Sequence, residues 1–252
     1  MIRSVFTAFF LGFVLCIAGA EENPFVLRQR LHDEVAVQKV LTYQQVWDAL
    51  EVLDAVPGHP GYVRLIYTRR AQPVERRDQG QNDPDSWNRE HLWPKSHGFP
   101  DEENPAYTDL HNLRPADRSV NTQRSDKDFD VGGKPHSEAT GVRWDEDSWE
   151  VPDDVKGDVA RALFYMALRY DGTLSWKDRK GKTHREPRLV LIDGDSPETR
   201  EPLLGYLGTL LRWNRQDPPD DTERRRDAGV RELQGNSNPF VAHPEFIEVL
   251  WN

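Results

Sequence analysis

Three residues of this chain could do chemistry together: Glu90 and His91, adjacent in WNREHLWPKSHGF (87–99), and Asn121 in the later run YTDLHNLRPADRSVNTQRSDKDF (107–129). A carboxylate oxygen and an amide oxygen are hard donors, suited to Mg²⁺ or Ca²⁺ rather than to a thiophilic metal. With two protein ligands only, such an ion keeps positions for water and for phosphate oxygens. His91 follows Glu90 and so points to the other face of a strand. From there a neutral imidazole can take a proton from water near pH 7 while the ion stabilises charge on a phosphate and a departing 3′-oxygen. The parts suit phosphodiester hydrolysis. Taken alone, however, the Glu-His pair reads better as an exposed strand end with a solvated histidine.

Bringing Glu90 and Asn121 to one point requires two antiparallel strands with a helix packed across them. Arg89-Glu90-His91 ends one strand, Asp109–Leu113 is short and strand-like, and Asp117 is a plausible N-cap for a helix beginning RSVNTQRS. Elsewhere Thr42 and YQQVWDALEVLDAV predict a capped amphipathic helix ending at Pro57-Gly58, and Tyr62–Tyr67 a strand. Further helices are predicted over 153–170, 203–213, 220–233 and 244–250, with long surface loops over 126–138 and 171–187. The reading is α+β, a mainly helical single domain around a small antiparallel sheet.

Residues 1–20, MIRSVFTAFFLGFVLCIAGA, read as a cleavable secretory leader, which makes 21–252 the mature domain, secreted or periplasmic and free of the membrane. The single cysteine, Cys16, leaves with the leader, excluding disulfides and cysteine-based zinc sites in the mature chain. The chain carries a formal charge of −10, which becomes −11 without Arg3, and this counts against a nucleic-acid partner. Yet residues 61–77, GYVRLIYTRRAQPVERR, hold five arginines against one glutamate, predicting a local basic surface. His97 and His111 lack the spacing of a zinc motif and are read as structural. Most tryptophans are expected in the core, and the arginines of 222–232 on a solvated helix face.

The ordered motifs decide between these readings. Arg-Glu-His at 89–91, Asp-Leu-His-Asn-Leu at 109–113, Val-Asn-x-x-Arg-Ser at 120–125 and Gln-Gly-Asn-x-Asn-Pro at 234–239 resemble, in order, the endonuclease I family of secreted or periplasmic nucleases. That resemblance implies a ββα-metal (His-Me finger) core, a sequence-nonspecific endonuclease acting on DNA, with RNA as a second substrate, and Mg²⁺ as cofactor, with Ca²⁺ or Mn²⁺ as alternatives. It matches His91 to the general base and Glu90 and Asn121 to the metal ligands. An RNA-preferring enzyme and a non-catalytic binding module are the rival readings, and a monomer is expected. Better known members carry the phosphate-contacting arginine in a cysteine-rich insertion that this chain lacks between Phe99 and Asp109. Arg124 is therefore the leading substitute, ahead of Arg114 and Arg89.

Overall fold

The structure is a computed structural model that describes residues 22–81, 83–197 and 201–252. The leader reading of residues 1–20 lies outside them. Helix α1 spans Pro24–Ala36, where no element was expected; Asn23 caps it through Phe25 N–H and Pro24 sets its first turn. Helix α2, Tyr43–Leu53, begins at the predicted Thr42 with a full capping box to Gln45.

Strands β1 (Tyr62–Arg64) and β2 (Ala71–Pro73) form an antiparallel pair. The strand predicted to reach Tyr67 stops at Arg64, because Arg69, at φ 57°, turns the chain back and leaves Tyr67 fully buried. Strand β3 (Trp87–His91) pairs antiparallel with β4 (Leu113–Asp117), setting Glu90 opposite Arg114 and His91 opposite Leu113. The strand thus begins where Asp109–Leu113 was expected to end. Asp109 instead holds a turn, accepting from His111 N–H, and only beyond it can the backbone pair with β3. Pro115 is tolerated because this sheet has two strands and needs no donor on its second side.

Helix α3, Arg118–Arg124, follows at once and packs on both strands. Asp117 precedes it but does not cap it by its side chain; the carboxylate accepts instead from Thr68 Oγ1 and Arg70. The segments read as long loops carry short strands. Strands β5 (Lys134–Pro135), β6 (Arg143–Trp144) and β7 (Trp149–Glu150) make a three-stranded antiparallel sheet. After helix α4 (Lys156–Arg169), β8 (Ser175–Lys177) and β9 (Thr183–Arg185) form a hairpin. Strand β10 (Val190–Leu191) pairs in parallel with β11 (Leu203–Leu204), so α5, predicted from Leu203, starts at Leu207 and runs to Gln216. Helices α6 (Asp221–Gln234), α7 (Pro239–Ala242) and α8 (Glu245–Trp251) complete the chain.

Helix α4 is buried on nearly all sides, against α1, α5 and α7, and anchors the larger apolar cluster. A second cluster, with Trp47, Leu50, Trp87, Leu113 and Val230, clamps the β3–β4 pair between α2 and α6. Trp47 meets Trp87 edge to face at 4.8 Å; removal of such side chains from water contributes roughly 1.5–3 kcal/mol apiece. That clamp fixes the strand from which Glu90 and His91 project. Gln234 and Asn236, in the predicted turn, tie the far end of α6 to Asp109, Val35 and Tyr165. The architecture is α+β, helical with small, mostly antiparallel sheets.

Candidate active site

A cleft of about 430 Å³ opens along the free edge of β3 and over α3. Its lining takes in Asn88, Arg89, Glu90, His91, Asn121 and Arg124, with Tyr43 and Lys95 on its walls. Of the six residues read as catalytic, metal-binding or phosphate-binding, only Arg114 is missing from it. Arg114 projects from β4 into a separate cavity, where it faces Asp54 at 3.3 Å and Asp158 at 3.8 Å.

Glu90 is only 2% exposed. One carboxylate oxygen, Oε1, accepts from the Tyr67 hydroxyl at 2.5 Å and from Arg124 Nη1 at 3.1 Å. The other, Oε2, accepts from no side chain among the described residues. Burial pushes the carboxyl pKa up, while the Arg124 charge and the Tyr67 hydrogen bond pull it back toward the ionised form. Tyr67 itself, desolvated and beside that carboxylate, is held well above its ordinary pKa, so its hydroxyl stays a donor. On α3, Asn121 donates from Nδ2 to Asn88 Oδ1 at 2.7 Å, which orients the amide and leaves its own Oδ1 without a partner among the described residues.

His91, on the opposite face of the strand, sits against the ring edges of Tyr107 (4.8 Å between centroids) and Phe99 (6.3 Å) and stacks toward Tyr43 (6.0 Å). Its Nε2 lies 2.8 Å from the Tyr107 carbonyl oxygen. A carbonyl can only accept, so Nε2 carries the proton and Nδ1 the lone pair. Burial, reinforced by the positive charges of Lys95, Arg89 and Arg124, lowers the imidazole pKa to about 3. The ring is neutral near pH 7 and has one nitrogen available as a base.

Arg124, although it contributes to the cleft lining, is buried against Glu90 with almost no exposed area. Besides Glu90, its guanidinium donates to the carbonyls of His91 (3.0 Å) and Leu92 (2.8 Å) and rests on the Phe129 ring. Arg89 lies at the cleft wall, its guanidinium over Tyr43 and Trp47 and bonded to the Tyr43 carbonyl. Lys95 Nζ reaches the Tyr107 hydroxyl at 2.8 Å.

Of the five arginines expected to make a basic surface over 61–77, four are ion-paired. Arg69 pairs with Asp154, Arg70 with Asp117, Arg76 with Asp83, and Arg77 with Asp48 and Glu51, while Arg64 donates to the Arg69 carbonyl. His97 and His111 each donate a ring N–H to a backbone carbonyl, of Leu203 and Asn236 respectively, as structural histidines do. In 222–232, Arg226 departs from the expected solvated face: it is buried and binds Asp54 and the carbonyls of Leu110 and Leu113. Sequence reasoning passed over Tyr67 and Tyr107. The first carries no spacing signal toward Glu90, and the second acts through a backbone carbonyl that any residue would supply.

A sequence model of the endonuclease I family matches residues 24–245. Among curated proteins, the chain is similar to the extracellular ribonuclease of Bacillus amyloliquefaciens, 41% identical over 227 residues that cover 89% of this chain and 73% of the relative. The extracellular ribonuclease of Bacillus subtilis strain 168 is 42% identical over 227 residues, with 89% and 74% covered. An extracellular deoxyribonuclease of Aeromonas hydrophila is 32% identical over 152 residues, which cover 58% of this chain and 55% of that protein.

Proposed function

We infer that this chain, which belongs to the endonuclease I family and is a nuclease, hydrolyses nucleic-acid phosphodiesters in the β3–α3 cleft, with His91 as general base. The observation that carries this reading is the fixed tautomer of a buried, neutral imidazole beside Glu90. His91 Nδ1 takes a proton from a water that attacks phosphorus; the bond to the 3′-oxygen breaks and that oxygen takes a proton from solvent, leaving a 5′-phosphate and a 3′-hydroxyl. Arg89 and Lys95, the cations at the cleft wall, hold the flanking phosphate oxygens. Packing by Tyr43, Phe99 and Tyr107 excludes bulk water from the imidazole and keeps it neutral.

The donors fit a hard divalent cation. Glu90 Oε2 and Asn121 Oδ1 are oxygens that no side chain among the described residues engages, and each is oriented by bonds to its companion atom. Glu90 and Asn121 would hold Mg²⁺, or Ca²⁺ or Mn²⁺ in its place, and the ion when bound supplies Lewis-acid stabilisation of charge on the phosphate and the leaving oxygen. The β3–β4–α3 unit is, on this reading, the ββα-metal core of the family, and Arg124 with Tyr67 are positioning residues for the Glu90 carboxylate.

RNA is the favoured substrate, because similarity to the two proteins named extracellular ribonuclease extends over 89% of this chain. DNA is the second reading, supported by the shorter match to proteins named deoxyribonuclease. The enzyme is exported: its relatives are named extracellular or periplasmic, as the leader expected over residues 1–20 implies, and no described helix is long and apolar enough to cross a membrane. Purified protein incubated with RNA and with supercoiled plasmid, each with Mg²⁺ and with EDTA, tests the whole reading. Cleavage should require the ion, proceed faster on RNA and leave 5′-phosphates. Products with 2′,3′-cyclic phosphate would mean that the substrate's own 2′-hydroxyl, not water, attacks, and would remove His91 from the stated role.

A further inference from the structure

The phosphates of a nucleic acid must be met by cations that the protein has not already spent on its own carboxylates, since binding draws on the release of counterions by uncompensated Lys and Arg. In a chain of net charge −10, carboxylates outnumber cations, so where several exposed cations without an ion pair lie together matters. The 61–77 arginines are committed to partners, and Arg124, Arg161, Arg169 and Arg226 are buried in ion pairs.

The β8–β9 hairpin is different. Lys177, Lys180 and Lys182 are exposed, and none has an ion pair among the described residues. The one carboxylate in the turn, Asp178, is turned inward: it accepts the N–H groups of Lys180 and Lys182 and pairs with His184 Nε2 at 3.0 Å. Trp176 stacks on His184 across the strands at 4.6 Å, stiffening a ribbon that contributes nothing to either apolar cluster. Folding therefore places no demand on the lysines. The position of the hairpin is also informative. Arg179 N–H donates to Glu103 at 2.7 Å, in the same loop whose Tyr107 carbonyl fixes His91. The hairpin tip is thus tied to the segment that, four residues on, supplies the carbonyl accepting from His91 of β3.

We propose that the β8–β9 hairpin is an exosite for the substrate's phosphate backbone, taken up by Lys177, Lys180 and Lys182 outside the cleft and past the acidic side chains of Asp101 and Glu102. The proposal rests on the nuclease reading above. It makes the enzyme prefer polymers to short oligonucleotides without any recognition of bases.

The test is the triple variant K177Q/K180Q/K182Q, made both in the active enzyme and in a His91→Ala background in which binding can be read without cleavage. Without the three ammonium groups, the slope of log K against log salt for a long single-stranded RNA should flatten by about 2, and affinity in low salt should fall ~10- to 100-fold. In the active enzyme, KM for the long RNA should rise while kcat holds, and turnover of a tetranucleotide too short to reach the hairpin should not change. An unchanged salt slope, or an equal loss on the tetranucleotide, overturns the exosite. So does a triple variant that binds RNA normally but no longer binds phosphatidylglycerol vesicles, since the lysines would then serve an anionic surface. If the His91→Ala protein binds RNA through the hairpin but the active protein cleaves nothing, the nuclease reading fails and the exosite stands.

Discussion

Replacing Arg124 separates two roles with opposite signatures. At the phosphate, its loss would weaken substrate binding and leave the fold alone. In the structure its guanidinium is buried and shared among Glu90, the carbonyls of His91 and Leu92, and the Phe129 ring. Arg124→Met would strand a carboxylate that is 2% exposed, and breaking a buried pair from one side costs about 3–5 kcal/mol. Against a total stability of roughly 5–15 kcal/mol, this is a large fraction. Arg124→Lys keeps the charge, but one ammonium cannot span Glu90 and both carbonyls, so a loss of about 1–3 kcal/mol is expected from the acceptors left unpaired. Urea unfolding of both variants at neutral pH reads the stability, and the salt dependence of KM for long RNA reads phosphate contact. The expected result is a clear drop in the urea midpoint for both variants, with an unchanged salt slope for Arg124→Met, the variant that removes the charge. Stability within about 0.5 kcal/mol of wild type, together with a slope flatter by about one unit, would refute the buried role and return Arg124 to the scissile phosphate.

His91→Ala should lower the rate about 10²- to 10⁴-fold, as expected for loss of a general base, while the Mg²⁺ concentration for half-maximal protection in thermal melts stays at the wild-type value. Asn121→Ala should raise that Mg²⁺ requirement; an unchanged Mg²⁺ titration removes Asn121 from the ion. His111, buried against Tyr165, has its pKa lowered chiefly by desolvation, so the unfolded chain takes up a proton first on acidification. Stability should therefore fall as pH drops below about 6.5, and His111→Gln should shrink the difference in urea midpoint between neutral and mildly acidic solution.

The candidate residues were only partly legible from their types: the Glu90-His91 pair alone read as a solvated strand end, and the ordered motifs resembling the endonuclease I family singled it out. Glu90, His91 and Asn121 stood out as donors and base, and the period of β3 alone set Glu90 and His91 on opposite faces. The supports were not legible. Tyr67 reaches Glu90 only because the strand predicted over 62–67 breaks at Arg69, and a left-handed arginine leaves no mark in hydrophobic alternation. Capped, periodic elements such as α2 were found at their true start, since Thr42 and Gln45 satisfy each other locally. Of the two-residue strands, β10 went unassigned and β11 was read as the start of a helix, because two residues cannot display a period and their pairing is decided by tertiary packing.

Charge was the feature that sequence misplaced most, and the reason is general. A run of arginines in the chain says nothing about which carboxylates fold against it, and in this protein each charged arginine tip of 61–77 meets an acidic side chain or a carbonyl from elsewhere. Arginine, with a planar fork that makes several hydrogen bonds at once, is the cation a protein can bury in a network, whereas lysine keeps its strongly hydrated charge in water. The distribution here largely follows that difference: Arg124, Arg161, Arg169 and Arg226 brace the interior, with Lys156, paired to Glu150 and Asp153, the buried exception, and Lys177, Lys180 and Lys182 stand exposed on the β8–β9 hairpin. An acidic nuclease can hold a polyanion on this basis, because its affinity depends on the few cations without internal partners and not on the sum of its charges.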